Sequence, residues 1–330
     1  MKKFLIVQTA FIGDVILATP LIEKLHEHYP DGQIDFLVRK GNGGLLKNHP
    51  KLGDVFIWKK KQGKYTNLIR LIYLIRSKEY DYVINIQRFF GSGFLTAFSG
   101  AKTKIGFAKN PLSFTFNVKV GHRLIGQHET SRNLSLIKSI TDKKYVRPKL
   151  YPSESDYTKV QQYQSKPYLC FAPTSVWKTK EYPLLKWVEL IISQDEEWNI
   201  YLLGGPTDQE VCRELVGMCD KENIINLAGQ LTFLESAALM EKASMNYVND
   251  SAPMHMASAM NAPTNAVFCS TVPSFGFGPL ATQSKVIETK NKLSCRPCGL
   301  HGKKSCPLDH FNCAYSIDKN QFDRLDFPKN

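Results

Sequence analysis

The chain has 330 residues, of which 43% are hydrophobic and 22% are charged, a composition typical of a folded globular protein and not of a disordered or repetitive chain. Because this length exceeds what one hydrophobic core usually supports, two domains are expected. The formal net charge is +13, and all of the excess lies in residues 1–150, which contain 26 Lys and Arg against 10 Asp and Glu, whereas residues 151–330 contain 17 against 20.

The first residues resemble the start of a secretory signal peptide, because Met1, Lys2 and Lys3 precede an apolar run. Gln8 and Asp14 interrupt that run, and a carboxylate there would be costly in a bilayer. We therefore predict a buried first strand. No other stretch approaches the roughly 20 apolar residues that a membrane span needs, so the sequence predicts a cytoplasmic protein that could rest on a membrane face.

Short runs rich in β-branched and aromatic residues alternate with helical patterns in both halves, which predicts an α/β fold with parallel sheets and crossover helices. The predicted strands of the first half are residues 4–9, 33–39, 54–58, 81–87 and 104–107. Those of the second half are residues 167–173, 198–204, 224–227, 245–249 and 264–269. The predicted helices are residues 15–29, 65–77, 184–193, 208–219 and 233–243.

Two prolines interrupt any helix near residues 147–153, and the charge balance changes sign at the same place. We predict a boundary there between two Rossmann-like domains, residues 1–150 and residues 151–330. Ligands of open parallel sheets bind outside the carboxyl ends of the strands. Two such sheets that face each other would hold substrates in an interdomain cleft, and the chemistry is expected in loops that follow strands.

The loop after the first strand contains Gly13 and Asp14. Gly13 permits a tight turn with positive φ, and Asp14 falls at the start of the next helix. An Asp at such a position is commonly no more than a helix cap. The alternative is a carboxylate in the cleft that takes a proton from an attacking hydroxyl group.

The loop after the first strand of the second half carries hydroxyl groups at Thr174, Ser175 and Thr179 and ammonium groups at Lys178 and Lys180. Such groups suit a cradle for a diphosphate. The alternative is an exposed polar loop without a ligand.

A third loop contains Asp250, Ser251 and Ala252 and leads into a short helix that carries His255. Small residues allow backbone N–H groups to approach a phosphate, and a helix N-terminus favours negative charge. The alternatives are a second helix cap at residues 250–251 and a structural histidine.

A glycine pair that ends with Gly205 suits the close approach of a nucleotide, although such pairs are common after strands. No G-x-G-x-x-G or P-loop pattern is present, which argues against a dehydrogenase or an NTPase. No Asp-x-Asp sequence is present either, so the usual carboxylate pair that bridges a metal to a nucleotide is missing.

Four of the eight cysteines, at positions 170, 212, 219 and 269, fall in apolar segments, where Cys acts as a small hydrophobic residue. The other four, Cys295, Cys298, Cys306 and Cys313, cluster near the end of the chain. Their spacing could close a structural zinc site. Free thiols, or a disulfide formed outside the reducing cytosol, are the alternatives.

Taken together, these segments resemble glycosyltransferase family 9, the heptosyltransferases of lipopolysaccharide core assembly, over nearly the whole chain. The resemblance rests on residues 12–20, 128–133, 179–183, 249–257, 275–279 and 295–298. It implies a GT-B fold and an inverting sugar transfer without a metal or cofactor. The implied substrates are a nucleotide-sugar donor, with ADP-heptose the expected one, and an anionic glycolipid acceptor of the Kdo-lipid A type, which would place the protein on the cytoplasmic face of the inner membrane. From the charge count, we expect the basic residues 1–150 to bind the acceptor, and residues 151–330 to bind the donor.

The resemblance also implies roles for individual residues. Asp14 is then the general base, and Lys180 neutralises the leaving diphosphate. Asp250, Ser251 and His255 hold the donor's phosphates and sugar. The chain departs from the family in having Ala252 where glycine is usual.

Three other functions stay open at this stage. A family 9 transferase could use another sugar, such as an N-acetylhexosamine. A nucleic-acid-binding protein would explain the basic half, but it would also require stacking aromatic residues among the basic ones and would leave the loops of the acidic half unexplained, so no nucleic-acid partner is expected. A nucleotide-sugar binder without turnover is the third.

Overall fold

The computed structural model describes residues 1–60 and 63–322 of the chain. The chain divides into two compact units, Met1–Tyr151 and Pro152–Asn330. Each unit is built on its own β-sheet. Among the described residues, no helix combines the length and the apolar content needed to span a membrane.

The strands of the first unit are β1 (Lys3–Val7), β2 (Gln33–Arg39), β3 (Val55–Trp58), β4 (Tyr82–Asn85), β5 (Thr103–Phe107) and β6 (Val118–Val120). They pair in parallel in the order β3-β2-β1-β4-β5-β6. The helices are α1 (Ile12–Ile16), α2 (Thr19–His28), α3 (Lys64–Ser77), α4 (Phe90–Phe98) and α5 (Glu129–Ser135).

The strands of the second unit are β7 (Tyr168–Ala172), β8 (Asn199–Leu202), β9 (Ile224–Asn226), β10 (Met245–Asn249), β11 (Thr264–Phe268) and β12 (Ser284–Glu288). They pair in parallel in the order β12-β11-β10-β7-β8-β9. The helices are α6 (Glu154–Gln161), α7 (Leu184–Ile192), α8 (Gln209–Cys219), α9 (Phe233–Glu241), α10 (Ala252–Ala259) and α11 (Asn312–Tyr315).

The central strands β7, β10 and β11 are buried along their whole length, because helices cover both faces of a parallel sheet. Apolar side chains from β7, β8 and α7, among them Phe171, Leu202 and Trp187, belong to one core in the second unit. A separate core in the first unit joins β1, β2 and β4 to α3 and α4. Apolar residues of these strands therefore hold each sheet against its helices.

The predicted α/β class with parallel sheets is confirmed, and the predicted strands are present with ends that differ by no more than two residues. Two strands were missed, β6 and β12. Both are edge strands with partly exposed residues, so they lack the continuous apolar run that marks the buried strands.

The prediction of one helix over residues 15–29 was wrong, because the structure has α1 and α2 there. Pro20 has no N–H group to donate to the carbonyl of Ile16, and its ring interferes with a continuous helix. The hydroxyl of Thr19 donates to that carbonyl instead, at 2.8 Å. The break between the helices gives Asp14 a short helix of its own.

Candidate active site

Each sheet has one place where the chain reverses its direction of winding, and the predicted site loops lie there. In the first unit the reversal lies between the neighbouring strands β1 and β4, and in the second between β7 and β10. A reversal leaves a crevice at the carboxyl ends of the two strands, where ligands of open α/β sheets bind. Asp14 follows β1, whereas Lys180 follows β7 and Asp250 follows β10.

Asp14 lies in the first turn of α1, where its carboxyl group takes part in helix capping, and its role as a base stays a prediction. Gly13 lies in the same helix and does not have a positive φ, so that part of the prediction was wrong. One carboxylate oxygen, Oδ2, accepts a hydrogen bond from the backbone N–H of Phe11, the N-cap residue, at 3.0 Å, as the third residue of a capping box does. The residue as a whole remains partly accessible. Desolvation by the surrounding protein, assisted by the negative charge of Glu129, raises the pKa of Asp14 to about 6. A carboxyl group with this pKa is suited to accept a proton near neutral pH.

Side chains from distant segments fix the loop that leads to Asp14. The amide of Asn42 donates to the carbonyl of Ala10 at 2.9 Å. The ammonium group of Lys60 donates to the carbonyl and the hydroxyl of Thr9 at 3.0 and 2.8 Å. Lys60 belongs to a basic run formed by Lys59, Lys60, Lys61 and Lys64. It is not merely solvated, because its hydrogen bonds hold the loop. Lys61 of the same run lies outside the described residues.

The segment at residues 128–133 supports the same loop from α5. Arg132 is buried and donates to Glu129 at 2.7 Å and to the carbonyl of Leu124 at 2.8 Å. The amide of Asn133 donates to the carbonyl of Leu17, just past α1, at 3.1 Å. The segment at residues 128–133 therefore has two structural effects. It brings the negative charge of Glu129 close enough to raise the pKa of Asp14, and it fixes the chain at the end of α1.

In the second unit, Lys180 and Asp250 form a direct ion pair. Lys180 Nζ lies 2.7 Å from Asp250 Oδ2, and both side chains are largely buried. The hydroxyl of Thr271 donates to the same carboxylate oxygen at 2.6 Å. Loops that follow β7, β10 and β11 are thus joined at one point, and the ammonium group of Lys180 is held in a defined place.

Asn249, the last residue of β10, is fully buried and connects two of these loops. Its amide nitrogen donates to the carbonyl of Pro173 at 2.8 Å, and its amide oxygen accepts from the backbone N–H of Tyr182 at 2.9 Å. Sequence reasoning did not single out this residue. The available signal was a polar side chain at the end of a buried strand.

Thr179 has an internal role in the structure. Its side chain is buried, and its hydroxyl accepts hydrogen bonds from Ser270 at 3.0 Å and from the backbone N–H of Lys303 at 2.7 Å. Gly302 has a positive φ of 77°, and a Cβ atom there would lie 2.9 Å from Cγ of Lys180. The cysteine-rich segment therefore packs on the Lys180 loop, and contact between Thr179 and substrate stays a prediction.

The remaining predicted residues of the β7 and β8 loops are partly accessible. Thr174 and Ser175 follow β7, and the backbone N–H of Ser175 donates to Glu181 at 3.1 Å. Gly205 follows β8, and its N–H donates to Asp208 at 2.7 Å. The structure brings Thr174 and Ser175 into the loop that Asn249 anchors, whereas Gly205 belongs to the next loop along the sheet edge.

At the third loop, Ser251 immediately precedes α10 and Ala252 begins it, and both are partly accessible. His255 is buried in the same helix, with its ring centroid 6.4 Å from that of Phe277. An accessible helix N-terminus next to the Lys180–Asp250 pair fits an anion. The burial of His255 fits a structural role, and its predicted contact with the donor remains untested.

Cys295, Cys298, Cys306 and Cys313 line one cavity of about 480 Å³ together with His310. All four are free thiols, and burial, together with the neighbouring thiols, raises the pKa of Cys313 to about 11. Within residues 1–60 and 63–322, no three His, Cys, Asp or Glu side chains are arranged as a metal site. Zinc binding by the four cysteines thus stays one alternative beside free thiols.

The sequence was compared with known families and proteins. The family described as glycosyltransferase family 9 (heptosyltransferase) matches residues 68–309. Lipopolysaccharide heptosyltransferase 3 of Escherichia coli (strain K12) is 29% identical over 280 residues, which cover 78% of this chain and 80% of the relative. Lipopolysaccharide heptosyltransferase 1 of Pseudomonas aeruginosa is 26% identical over an alignment of 344 positions, which covers 97% of this chain and 92% of the relative.

The fold is also that of solved proteins. The structure of E. coli ADP-heptose lipopolysaccharide heptosyltransferase II superposes with a TM-score of 0.76 and 23% identity, covering 90% of this chain and 96% of that one. The predicted GT-B fold is therefore confirmed. Since the family match spans most of the chain, the protein is a glycosyltransferase that belongs to family 9, the heptosyltransferases.

Proposed function

We propose that the protein transfers a heptose from ADP-heptose to an anionic inner-core lipopolysaccharide acceptor, with inversion at the anomeric carbon and without a metal. The first unit, over residues 1–150, binds the acceptor, and the second, over residues 151–330, binds the donor. Asp14 removes the proton of the attacking hydroxyl group, and Lys180 stabilises the leaving ADP.

The observation that carries this proposal is the position of the two candidate catalytic groups. Each follows the first strand of its sheet, beside the place where the winding reverses. One is a carboxyl group whose pKa is raised to about 6, and the other is a largely buried ammonium group. These are the two groups that an inverting transfer needs: a base for the acceptor and a cation for the leaving group.

The chemistry balances with these two groups. As the acceptor oxygen forms its bond to the anomeric carbon, its proton passes to the Asp14 carboxylate. The bond from that carbon to the diphosphate oxygen breaks, and the electron pair leaves with ADP. Negative charge grows on the diphosphate at this moment, and a lysine fixed in advance stabilises it without reorganisation.

The ion pair with Asp250 suits Lys180 to this task. The carboxylate holds the ammonium group at the edge of the sheet before the donor binds, at 2.7 Å. A diphosphate carries more negative charge than a carboxylate and can share the same ammonium group. Ser175, Ser251, Ala252 and the N-terminus of α10 then supply neutral donors, and Gly205 lies along the same sheet edge.

The donor and acceptor assignments draw on relatives and on charge. A solved relative is described as an ADP-heptose heptosyltransferase, and several relatives are named lipopolysaccharide heptosyltransferases. The first unit carries the whole positive excess of the chain, which matches a phosphorylated, Kdo-bearing glycolipid. Such an acceptor implies a peripheral protein on the cytoplasmic face of the inner membrane.

The Asp14→Asn variant tests the proposal. It keeps a side-chain oxygen for the N–H of Phe11 but cannot accept the acceptor's proton. We expect transfer from ADP-heptose to fall by about 100- to 10,000-fold, while the donor still stabilises the protein against heat as in wild type. Product formation by mass spectrometry and donor binding by calorimetry measure the two effects.

If the wild-type protein binds the nucleotide sugar but transfers no sugar, it is a nucleotide-sugar binder without catalytic activity, and the proposal is wrong. Turnover with a UDP-N-acetylhexosamine in place of ADP-heptose would keep the enzyme class and replace the donor. Full activity in the Asp14→Asn variant would show that Asp14 is not the base.

A further inference from the structure

Helix α3 carries apolar residues on its outer side as well as on the side that faces the core. It buries Leu68, Leu71, Ile72 and Ile75 in the core of the first unit. On the rest of its surface, Ile69 is 51% exposed, Tyr73 71% and Leu74 41%. A helix that needs only its core-facing stripe to be apolar normally has a polar outer face. The outer face of α3 is therefore apolar beyond what the fold requires.

Helix α4, which contacts α3, also exposes apolar residues. The guanidinium group of Arg76 in α3 donates to the carbonyl of Phe98 at the end of α4, at 3.3 Å. Along α4, the rings of Phe90, Phe94 and Phe98 form a continuous row, with centroids 6.0 and 4.6 Å apart. Phe90 is 59% exposed and Phe98 50%. We call the exposed residues Ile69, Tyr73, Leu74, Phe90 and Phe98 the α3–α4 face.

The charges on these two helices have one sign. Arg70 and Arg76 are exposed on α3, and neither helix contains an Asp or Glu. Helix α7 of the second unit offers a contrast: it exposes Leu185 and Ile192, but its lysine is paired with Glu189. The two helices thus combine exposed aromatic and aliphatic side chains with arginines, without acidic residues on either helix. This composition is typical of surfaces that enter the headgroup region of an anionic bilayer.

We propose that the α3–α4 face docks the protein on an anionic lipid bilayer. Tyr73, Ile69 and the phenylalanines enter the interface between headgroups and acyl chains, and Arg70 pairs with lipid phosphates. The inference rests on the proposed function for the nature of the acceptor, because docking in this way brings the basic unit to a lipid-anchored substrate.

Sedimentation of the full-length protein with vesicles tests the face directly. We expect wild type to bind vesicles of phosphatidylcholine mixed with phosphatidylglycerol, and to bind phosphatidylcholine alone more weakly. The Ile69→Ser, Tyr73→Ser double variant should bind the mixed vesicles about tenfold more weakly. The Leu185→Ser, Ile192→Ser double variant is the matched control: it removes two exposed apolar residues from α7 and should bind as wild type does. Circular dichroism confirms that both variants fold.

Activity separates the docking surface from the enzyme function. The Ile69→Ser, Tyr73→Ser variant should transfer sugar normally to a core saccharide released from its lipid, and more slowly to the same acceptor in vesicles. Equal vesicle binding by this variant and wild type would overturn the docking proposal and leave the transferase intact. A wild-type dimer that this variant dissociates, with no vesicle binding, would assign the face to a second copy of the chain. Vesicle binding without transfer to either acceptor would refute the proposed function alone.

Discussion

Asp14 combines a capping hydrogen bond with the raised pKa expected of a base, two features that a sequence presents as alternatives. Its Oδ2 atom accepts a hydrogen bond from the N–H of Phe11, the N-cap residue of α1, and the residue is partly accessible. This hydrogen bond orients the carboxylate, and desolvation of the carboxyl group by the surrounding protein raises the pKa of Asp14 to about 6. Capping is therefore part of what would make this residue a useful base.

The pKa of Asp14 predicts the pH dependence of the reaction. A base must be ionised, and a pKa of about 6 lies above the ordinary value, so ionisation is incomplete below that pH. We expect kcat/KM to rise with pH, reach half its maximum near pH 6 and level off above it. Initial rates at subsaturating acceptor, measured from pH 5 to 8, give this profile.

Arg39 provides a control for the assignment. Its positive charge lowers the pKa of Asp14, so Arg39→Gln should move the midpoint of the profile to higher pH. A midpoint that stays in place in this variant would assign the titration to another group.

At the scale of the elements, the end of β10 organises the proposed donor site. Asn249 binds both ends of the loop between β7 and α7, and Asp250 holds Lys180. Both connections start from adjacent residues at the place where the winding of the sheet reverses. The order of the strands therefore decides which loops can share these contacts.

The Asn249→Ala variant should lose both stability and donor affinity. It leaves the N–H of Tyr182 and the carbonyl of Pro173 without their buried partner, which costs about 2 kcal/mol of unfolding free energy. The loop that carries Lys180 loses its anchor at the same time. Denaturant titration and calorimetry with ADP measure the two effects.

Asn246→Ala is the matched control, because Asn246 is equally buried on β10 and its amide donates to the carbonyls of Met240 and Pro263, both at 2.9 Å. It lies towards the opposite end of the strand, so the variant should lose stability and keep its affinity for ADP. Equal losses of ADP affinity in the two variants would show that the effect is global.

At the scale of the whole molecule, the positive charge of the first unit is predicted to bind the acceptor. Lys60 does not contribute to this predicted binding. Its ammonium group is committed to Thr9, so neutralising it would disturb the Asp14 loop. The variant that tests acceptor binding therefore combines Lys59→Gln, Lys61→Gln and Lys64→Gln and retains Lys60.

The triple variant should raise the KM for the acceptor severalfold and leave the KM for the donor nearly unchanged, with the effect decreasing at high salt. Steady-state kinetics with each substrate varied in turn measure both constants. The matched control neutralises Lys166, Lys290 and Lys292, which are exposed in the second unit, and should change neither constant much. Equal increases in both constants would contradict an acceptor-binding role for the basic run.

The sequence by itself determined the α/β class, the positions of the buried strands and the loops in which to look, because parallel strands buried on both faces require continuous apolar runs. It also indicated Asp14, Lys180 and Asp250, through loops that follow strands. Short edge strands and the Pro20 break were harder to predict, since β6 and β12 carry little apolar signal and the helical pattern continues across the proline.

Only the tertiary structure decided how these residues are connected. Lys180 and Asp250 lie 70 positions apart, and no local pattern predicts that they form an ion pair. Thr179 and Lys60 looked like ligand-binding groups in sequence but are held by internal hydrogen bonds. The physical reason is that hydrogen bonds and desolvation depend on distances in space, and strand order, not spacing along the chain, sets those distances.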